Sequence, residues 1–129
     1  MFENMNVLSM AQSMARHAAT RQSIIARNVA NADTPGYRAR DIAPFEARFR
    51  ESPPPAMKAT RPGHIAMAAA TGRDSEVRTF ERPGEVSPNG NSVSIEQEMF
   101  AAAEARSEHD RALAIYRSAI NILRTSAKG

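Results

Sequence analysis

The chain has no cysteine and no tryptophan. Without a thiol there can be no disulfide, no thiolate metal site and no cysteine nucleophile. Aromatic residues make up only 5% of a chain that is 42% hydrophobic, so the interior has to be built from aliphatic, alanine and methionine side chains. Such small or unbranched groups favour helices lying close together, and Met1, Met5, Met10 and Met14 crowd one candidate helix with adaptable side chains. No run approaches the eighteen or so apolar residues that a membrane-crossing helix needs. The opening Met1-Phe2-Glu3-Asn4-Met5-Asn6 lacks a basic region followed by an apolar stretch, so no cleaved secretory signal is expected.

Recognisable catalytic chemistry is missing as well. His17, His64 and His109 are scattered without a metal-ligand spacing, Gly63 and Gly72 are isolated and form no phosphate loop, and no nucleophile elbow frames a serine. The reading is therefore of a protein with no catalytic site, no metal and no cofactor. A net charge of +3 arises from 17 basic against 14 acidic residues. The arginines of the middle of the chain are interspersed with acids, whereas phosphate binding calls for a basic face. A basic helical protein associated with nucleic acid remains the alternative of a different class.

The helix breakers are distributed unevenly. All eight prolines and five of the six glycines lie between residues 35 and 90, and the remaining glycine is Gly129. Proline costs roughly 3 kcal/mol and glycine about 1 kcal/mol inside a helix, so this partition predicts helices over 3–31 and 94–126. The 129 residues read as a single domain of mainly α class. Its long terminal helices enclose an irregular insert, 32–93, with at most short strands. Ser75 to Phe80 alternates weakly, Pro53-Pro54-Pro55 reads as a stiff spacer, and Pro88-Asn89-Gly90-Asn91 signals a turn.

Ser94 followed three residues later by Gln97 fits a capping box at the start of the second helix. From there Ile95, Met99, Ala102, Arg106, His109, Leu113, Tyr116, Ile120 and Leu123 keep a 4-3-4-3 spacing, the mark of a helix that packs along its length. The first helix carries a weaker seam of Leu8, Ala11, Ala15, Ala18, Gln22, Ile25 and Val29, with Met10, Met14 and Ile24 beside it. Two modest apolar faces suggest several neighbours, and Leu8, Ala15, Ile25, Val29, Ile95, Met99, Leu113, Tyr116, Ile120 and Leu123 are the expected assembly surface. The charge order selects an orientation. Glu96 to Glu108 occupy the first half of the second helix and Arg117, Arg124 and Lys128 the second half, so an antiparallel, coiled-coil-like hairpin brings Arg21 and Arg27 to the acids. Burial of six large seam residues gains roughly 1.5–3 kcal/mol each, against an ordering cost of about 1–2 kcal/mol per residue. Helix order in the termini is therefore expected to be coupled to assembly.

One stretch is far more specific than the rest: Asn28-Val29-Ala30-Asn31-Ala32-Asp33-Thr34-Pro35-Gly36-Tyr37-Arg38-Ala39-Arg40-Asp41. Asn31 can cap the first helix, Thr34 is driven out of helical geometry by Pro35, and Pro35-Gly36 fits the centre of a type II turn that delivers Tyr37 beside the helix. With Asn28, Asn31, Asp33, Thr34, Pro35, Gly36 and Tyr37 as its marks, this run resembles the N-terminal signature of the flagellar rod and hook axial family. Thr60-Arg61-Pro62-Gly63-His64-Ile65, and Asn89 to Val93 followed by Glu98-Met99, resemble further motifs of that family. The form of the signature is that of a proximal-rod member, and a neighbouring rod protein such as FlgC is the runner-up.

The resemblance implies a structural subunit of the basal-body rod. Such a subunit is exported by the flagellar type III apparatus without a cleaved signal and polymerises in the periplasm through its terminal helices into a drive shaft and export channel. The implied partners are the chain itself, rod proteins of the FlgC, FlgF and FlgG type, the ring-junction protein FliE and the export apparatus. Neither nucleic acid nor membrane insertion is implied.

Overall fold

The computed structural model describes residues 2–51 and 77–129. The expectations for Pro53 to Pro55, for Thr60 to Ile65 and for Ser75 and Glu76 fall outside those residues. The chain forms two compact units, one made of Met1–Asp41 with Glu81–Gly129 and the other of Ile42–Phe80.

The first unit is built on helix α1, Phe2–Ala30, and helix α3, Ile95–Lys128. The helices pack along one another. Their direction follows from two cross-links: Arg21 meets Glu104, and Asn28 meets Glu98. The partner number falls as the α1 number rises, so the helices are antiparallel, as the charge order predicts. Thirty-four residues make α3 a rod of about 50 Å at 1.5 Å per residue. Ser94 caps it, its Oγ accepting from the Gln97 amide at 3.4 Å.

The row of α3 that is buried consists of Glu98, Ala101, Ala105, Ala112 and Ala119. It lies about one position round the helix from Ile95, Met99, Leu113 and Ile120, whereas Tyr116 and Leu123 of the seam share its face. On α1, Ala11, His17, Ala18, Ile24, Ile25 and Asn28 are buried, while Gln22 and Val29 are exposed. Ala11, Ala18 and Ile25 were expected there; Asn28 was not. The cause is steric and electrostatic together. Alanines let two helix backbones approach closely, and a polar side chain can share that contact when it is fully hydrogen-bonded.

Strand β1, Arg40–Ile42, pairs with β2, Thr79–Glu81, in a two-stranded antiparallel sheet. The second unit contains a short helix α2, Phe45–Glu51, where the sequence predicted only loop or strand. Pro44 explains it: the preset φ of proline favours the first turn of a helix, and its carbonyl accepts from the Ala47 and Arg48 amides at 3.1 and 3.3 Å. Phe45 and Phe49, one helical turn apart, then bring their ring centroids to 6.0 Å.

Candidate functional site

The residues of the signature run and those preceding α3 interlock at one end of the helical hairpin. α1 stops at Ala30, and Asn31 closes it by donating from Nδ2 to the Arg27 carbonyl at 2.8 Å. Thr34 to Tyr37 then forms the predicted turn. The Tyr37 amide donates to the Thr34 carbonyl at 3.2 Å, and Gly36 takes a φ of 74°, as position i+2 of a type II turn requires. Tyr37 is carried back against the helix, where its hydroxyl donates to Asn28 Oδ1 at 3.2 Å. Asp33 and Pro35 lie exposed on the turn.

Asn28, fully buried, makes every hydrogen bond its amide permits. Nδ2 donates to the Arg40 carbonyl at 2.8 Å and to Glu98 Oε1 at 3.2 Å. Oδ1 accepts from the Arg40 amide at 3.1 Å and from Tyr37. A single side chain on α1 therefore fixes the returning strand β1 and the first turn of α3 at once. Asn91 plays the matching part from the other segment, donating to the Asn31 and Thr34 carbonyls at 2.9 and 2.8 Å while accepting from the Val93 amide. Ser92 Oγ accepts from the Ala39 amide at 2.9 Å, and the Gly36 amide donates to the Asn89 carbonyl at 3.0 Å.

Charged groups extend this clasp. Arg82 donates to Glu98 Oε1 at 2.6 Å and to Asp41 Oδ2 at 2.8 Å. Arg21 donates to Asp41 Oδ1 at 3.2 Å and to Glu104 Oε2 at 3.3 Å. Burial disfavours the Arg21 charge, but the Asp41 carboxylate, reinforced by Glu104 and Glu108, outweighs it and holds the guanidinium pKa above its usual value. The stabilisation from this pair is thus complete below the ordinary arginine value and is lost only as pH rises through the raised one. Glu98 has one oxygen in two bonds and the other, Oε2, buried with no partner among the described residues. Sequence reasoning missed Arg82, Asp41 and Glu98 as partners because no local spacing connects them.

The second glycine of the clasp, Gly90, has a φ of 84° and comes so close to the turn that an added Cβ would lie 3.2 Å from Gly36 Cα. Gly90→Ala is expected to cost about 2 kcal/mol, from left-handed strain plus that contact. Gly36→Ala, whose Cβ would meet nothing within 4 Å, bears the strain alone and costs about half as much. Urea midpoints of the two variants measure the difference, and equal shifts would mean that the two segments do not touch as tightly as here.

The expected assembly residues divide between two settings. Ile25 lies inside the hairpin with Ala101 and Ala105. Leu8, Ala15, Leu113, Tyr116, Ile120 and Leu123 are half-buried, and Val29, Ile95 and Met99 are exposed. Phe100 and Ile122 are exposed as well, at 77% and 51%. At 100° per residue, Ile95, Met99, Leu113 and Ile120 project on one flank of the alanine row, and Phe100, Ile115 and Ile122 on the other. Phe100 also borders an open cleft of about 260 Å³ lined by Arg21, Asp41, Arg82 and Glu104. Among the described residues no group of three acidic or histidine side chains is placed to hold a metal ion, and no helix is long and apolar enough to cross a membrane.

Residues 5–38, which span most of α1 and the turn to Tyr37, match the family described as flagella basal body rod protein. The chain is 31% identical to the flagellar basal body rod protein FlgB of Agrobacterium fabrum, over 81% of this chain and 79% of that one. It is 31% identical to the FlgB of Cereibacter sphaeroides, over 85% of this chain and 84% of the relative. With the FlgB of Escherichia coli the identity is 32%, over 74% of this chain and 73% of the other.

Proposed function

Because the chain belongs to the FlgB family of flagellar basal body rod proteins, we propose that it is a structural subunit of the rod. It assembles through the outer flanks of its terminal helices and carries out no catalysis. The observation that carries this reading is the inversion of side-chain size across the hairpin. On α3 four alanines and Glu98 are the residues buried, while Met99, Phe100, Ile95 and Ile122 of the same helix stand in water on both flanks. A self-sufficient monomer would bury its largest apolar groups first, since each yields roughly 1.5–3 kcal/mol. Exposed apolar side chains on two flanks fit a helix pair inserted among like neighbours.

On this reading the subunit is exported unfolded by the flagellar type III apparatus without a cleaved signal and takes its place in the periplasmic, proximal rod. Its neighbours there are further copies, rod proteins of the FlgC, FlgF and FlgG type, and FliE. The array transmits torque and leaves a channel for later subunits. Heterologous contacts of this kind generate an open helical array in place of a closed ring.

The test uses charges placed on the flanks. Met99→Asp with Ile122→Asp is expected to leave the monomer's far-UV circular dichroism unchanged and to abolish rod assembly, giving basal bodies with rings and no rod. Leu113→Asp with Tyr116→Asp should act in the same direction. Normal rods and swimming in the first variant would show that these flanks are not the assembly surface.

A further inference from the structure

The antiparallel register fixed by the clasp has an electrical consequence along the hairpin. The three arginines of α1, Arg16, Arg21 and Arg27, lie at its midpoint or beyond, and the cross-links of Arg21 to Glu104 and Asn28 to Glu98 set that half against the acidic first half of α3. The part of α3 from Arg111 onward, with Arg111, Arg117, Arg124 and Lys128, is therefore set against the first half of α1, whose only charged side chain is that of Glu3.

The clasp end of the unit, residues 16–41 and 81–110, holds seven basic against nine acidic side chains, a net −2. The free end, residues 2–15 and 111–128, holds four basic against one acidic, a net +3. At the free end Arg111, Arg117, Arg124 and Lys128 are exposed and form no ion pair among the described residues. At the clasp end Glu96 and Asp110 are exposed and likewise unpaired, and Glu104 is two-thirds exposed despite its bond to Arg21.

We propose that this polarity sets the register between copies: the basic free end of one hairpin lies against the acidic clasp end of the next, head to tail. The inference rests on the assembly reading above and adds to it the axial order of the subunits. Copies placed side by side in the same direction and in step would set +3 beside +3, whereas a stagger of about half the helix length, some 25 Å, aligns opposite ends. Arg117 and Arg124, seven residues apart, and Glu96 and Asp110, fourteen apart, project on one flank of α3 at heptad intervals. The arginines are about 10 Å apart along α3 and the acids about 21 Å apart, so a straight neighbouring helix staggered by about 21 Å sets Arg124 against Asp110. That flank also carries Met99, so burial of apolar surface supplies attraction and the charges choose the offset.

Two charge-reversed proteins test this. In the first, Arg117→Glu and Arg124→Glu make both ends acidic; in the second, Glu96→Arg and Asp110→Arg make both ends basic. All four sites are exposed, so circular dichroism of each monomer should match the unaltered chain. Sedimentation and light scattering then report self-association. Each variant alone is expected to need about tenfold more protein to assemble than the unaltered chain. An equimolar mixture should recover assembly, since each acidic end then finds a basic one.

Assembly of the unaltered chain should weaken by about tenfold between roughly 0.05 M and 0.5 M sodium chloride, as screening shortens the reach of the charges. If the unaltered chain assembles and the variants assemble as well as it does, the charge register is wrong while the flank reading stands. If the unaltered chain does not assemble at low salt, the flank reading itself fails, and the register with it. A mixture that stops at closed dimers would replace head-to-tail order with an antiparallel pair. Uptake of the unaltered chain by vesicles of anionic phospholipid, with no self-association, would assign the basic end to a membrane surface instead and overturn the proposal.

Discussion

Asn28→Asp is expected to destabilise the helical hairpin by about 3 kcal/mol, although it changes one amide into an isosteric carboxylate. The side chain is completely buried and every one of its hydrogen-bonding positions is occupied. The substitution leaves the two accepting contacts, from the Arg40 amide and the Tyr37 hydroxyl, intact. It converts the two donating contacts into oxygen facing oxygen, at the Arg40 carbonyl and at Glu98 Oε1. The new charge also stands beside Glu98, whose cation, Arg82, is already shared with Asp41. Adding Glu98→Gln to the same chain removes the facing charge and lets an amide nitrogen donate to the new carboxylate, but the oxygen it replaces also accepts from Arg82, so only a minor part of the loss should return. The Arg40 carbonyl stays without its donor, so recovery is incomplete. Urea unfolding followed by far-UV circular dichroism measures all three chains. A loss below about 1 kcal/mol for the single variant would mean that water enters the clasp and that the Asn28 side chain does not tie the three segments together.

The parts of this arrangement that a linear reading finds, and the parts it misses, differ for physical reasons. The two helices are legible because proline and glycine cannot stand inside them, and the Thr34 to Tyr37 turn because Pro-Gly in that order admits few backbone conformations. The orientation of the hairpin is legible from charge order, and the Arg21 to Glu104 contact realises it. The contact row is harder to read. Hydrophobic periodicity weights a helix position by side-chain size, so the eye follows Ile95, Met99, Leu113 and Ile120, while the helices meet along alanines with Glu98 among them. Alanine scores poorly as a hydrophobe and well as a spacer. The partnership of Arg82 with Glu98 and Asp41 joins residues 16 and 41 positions apart through tertiary structure alone, and no local motif encodes it. Helix α2 escaped because the density of proline around it reads as breakage, whereas Pro44 stands where a helix begins.

The alanine row itself gives the remaining large effect. Ala105 and Ala112 are completely buried, two turns apart on the face of α3. Ala105→Leu and Ala112→Leu each place three more carbon atoms into a contact that α1 already fills. Each should cost about 1–3 kcal/mol, from overpacking that forces the helices apart. The sites are about 10 Å apart and the two costs should nearly add. In ordinary hydrophobic bookkeeping the same substitutions would stabilise, since each adds apolar area, and so the sign of the effect decides between a closely spaced alanine contact and a loose one. Ile122→Ser on the outer flank supplies the comparison. Half of that side chain is already in water, so the monomer should change by less than about 0.5 kcal/mol, while assembly should weaken by about tenfold or more for loss of an apolar contact between copies. Should leucine at 105 and 112 raise the urea midpoint, the helices have room to spare, and the large residues on the flanks would then compete for the inside of the hairpin. A lowered midpoint, together with an Ile122→Ser chain that folds normally and fails to assemble, places the small residues within the subunit and the large ones between subunits, the order that a chain built to pack among its own kind requires.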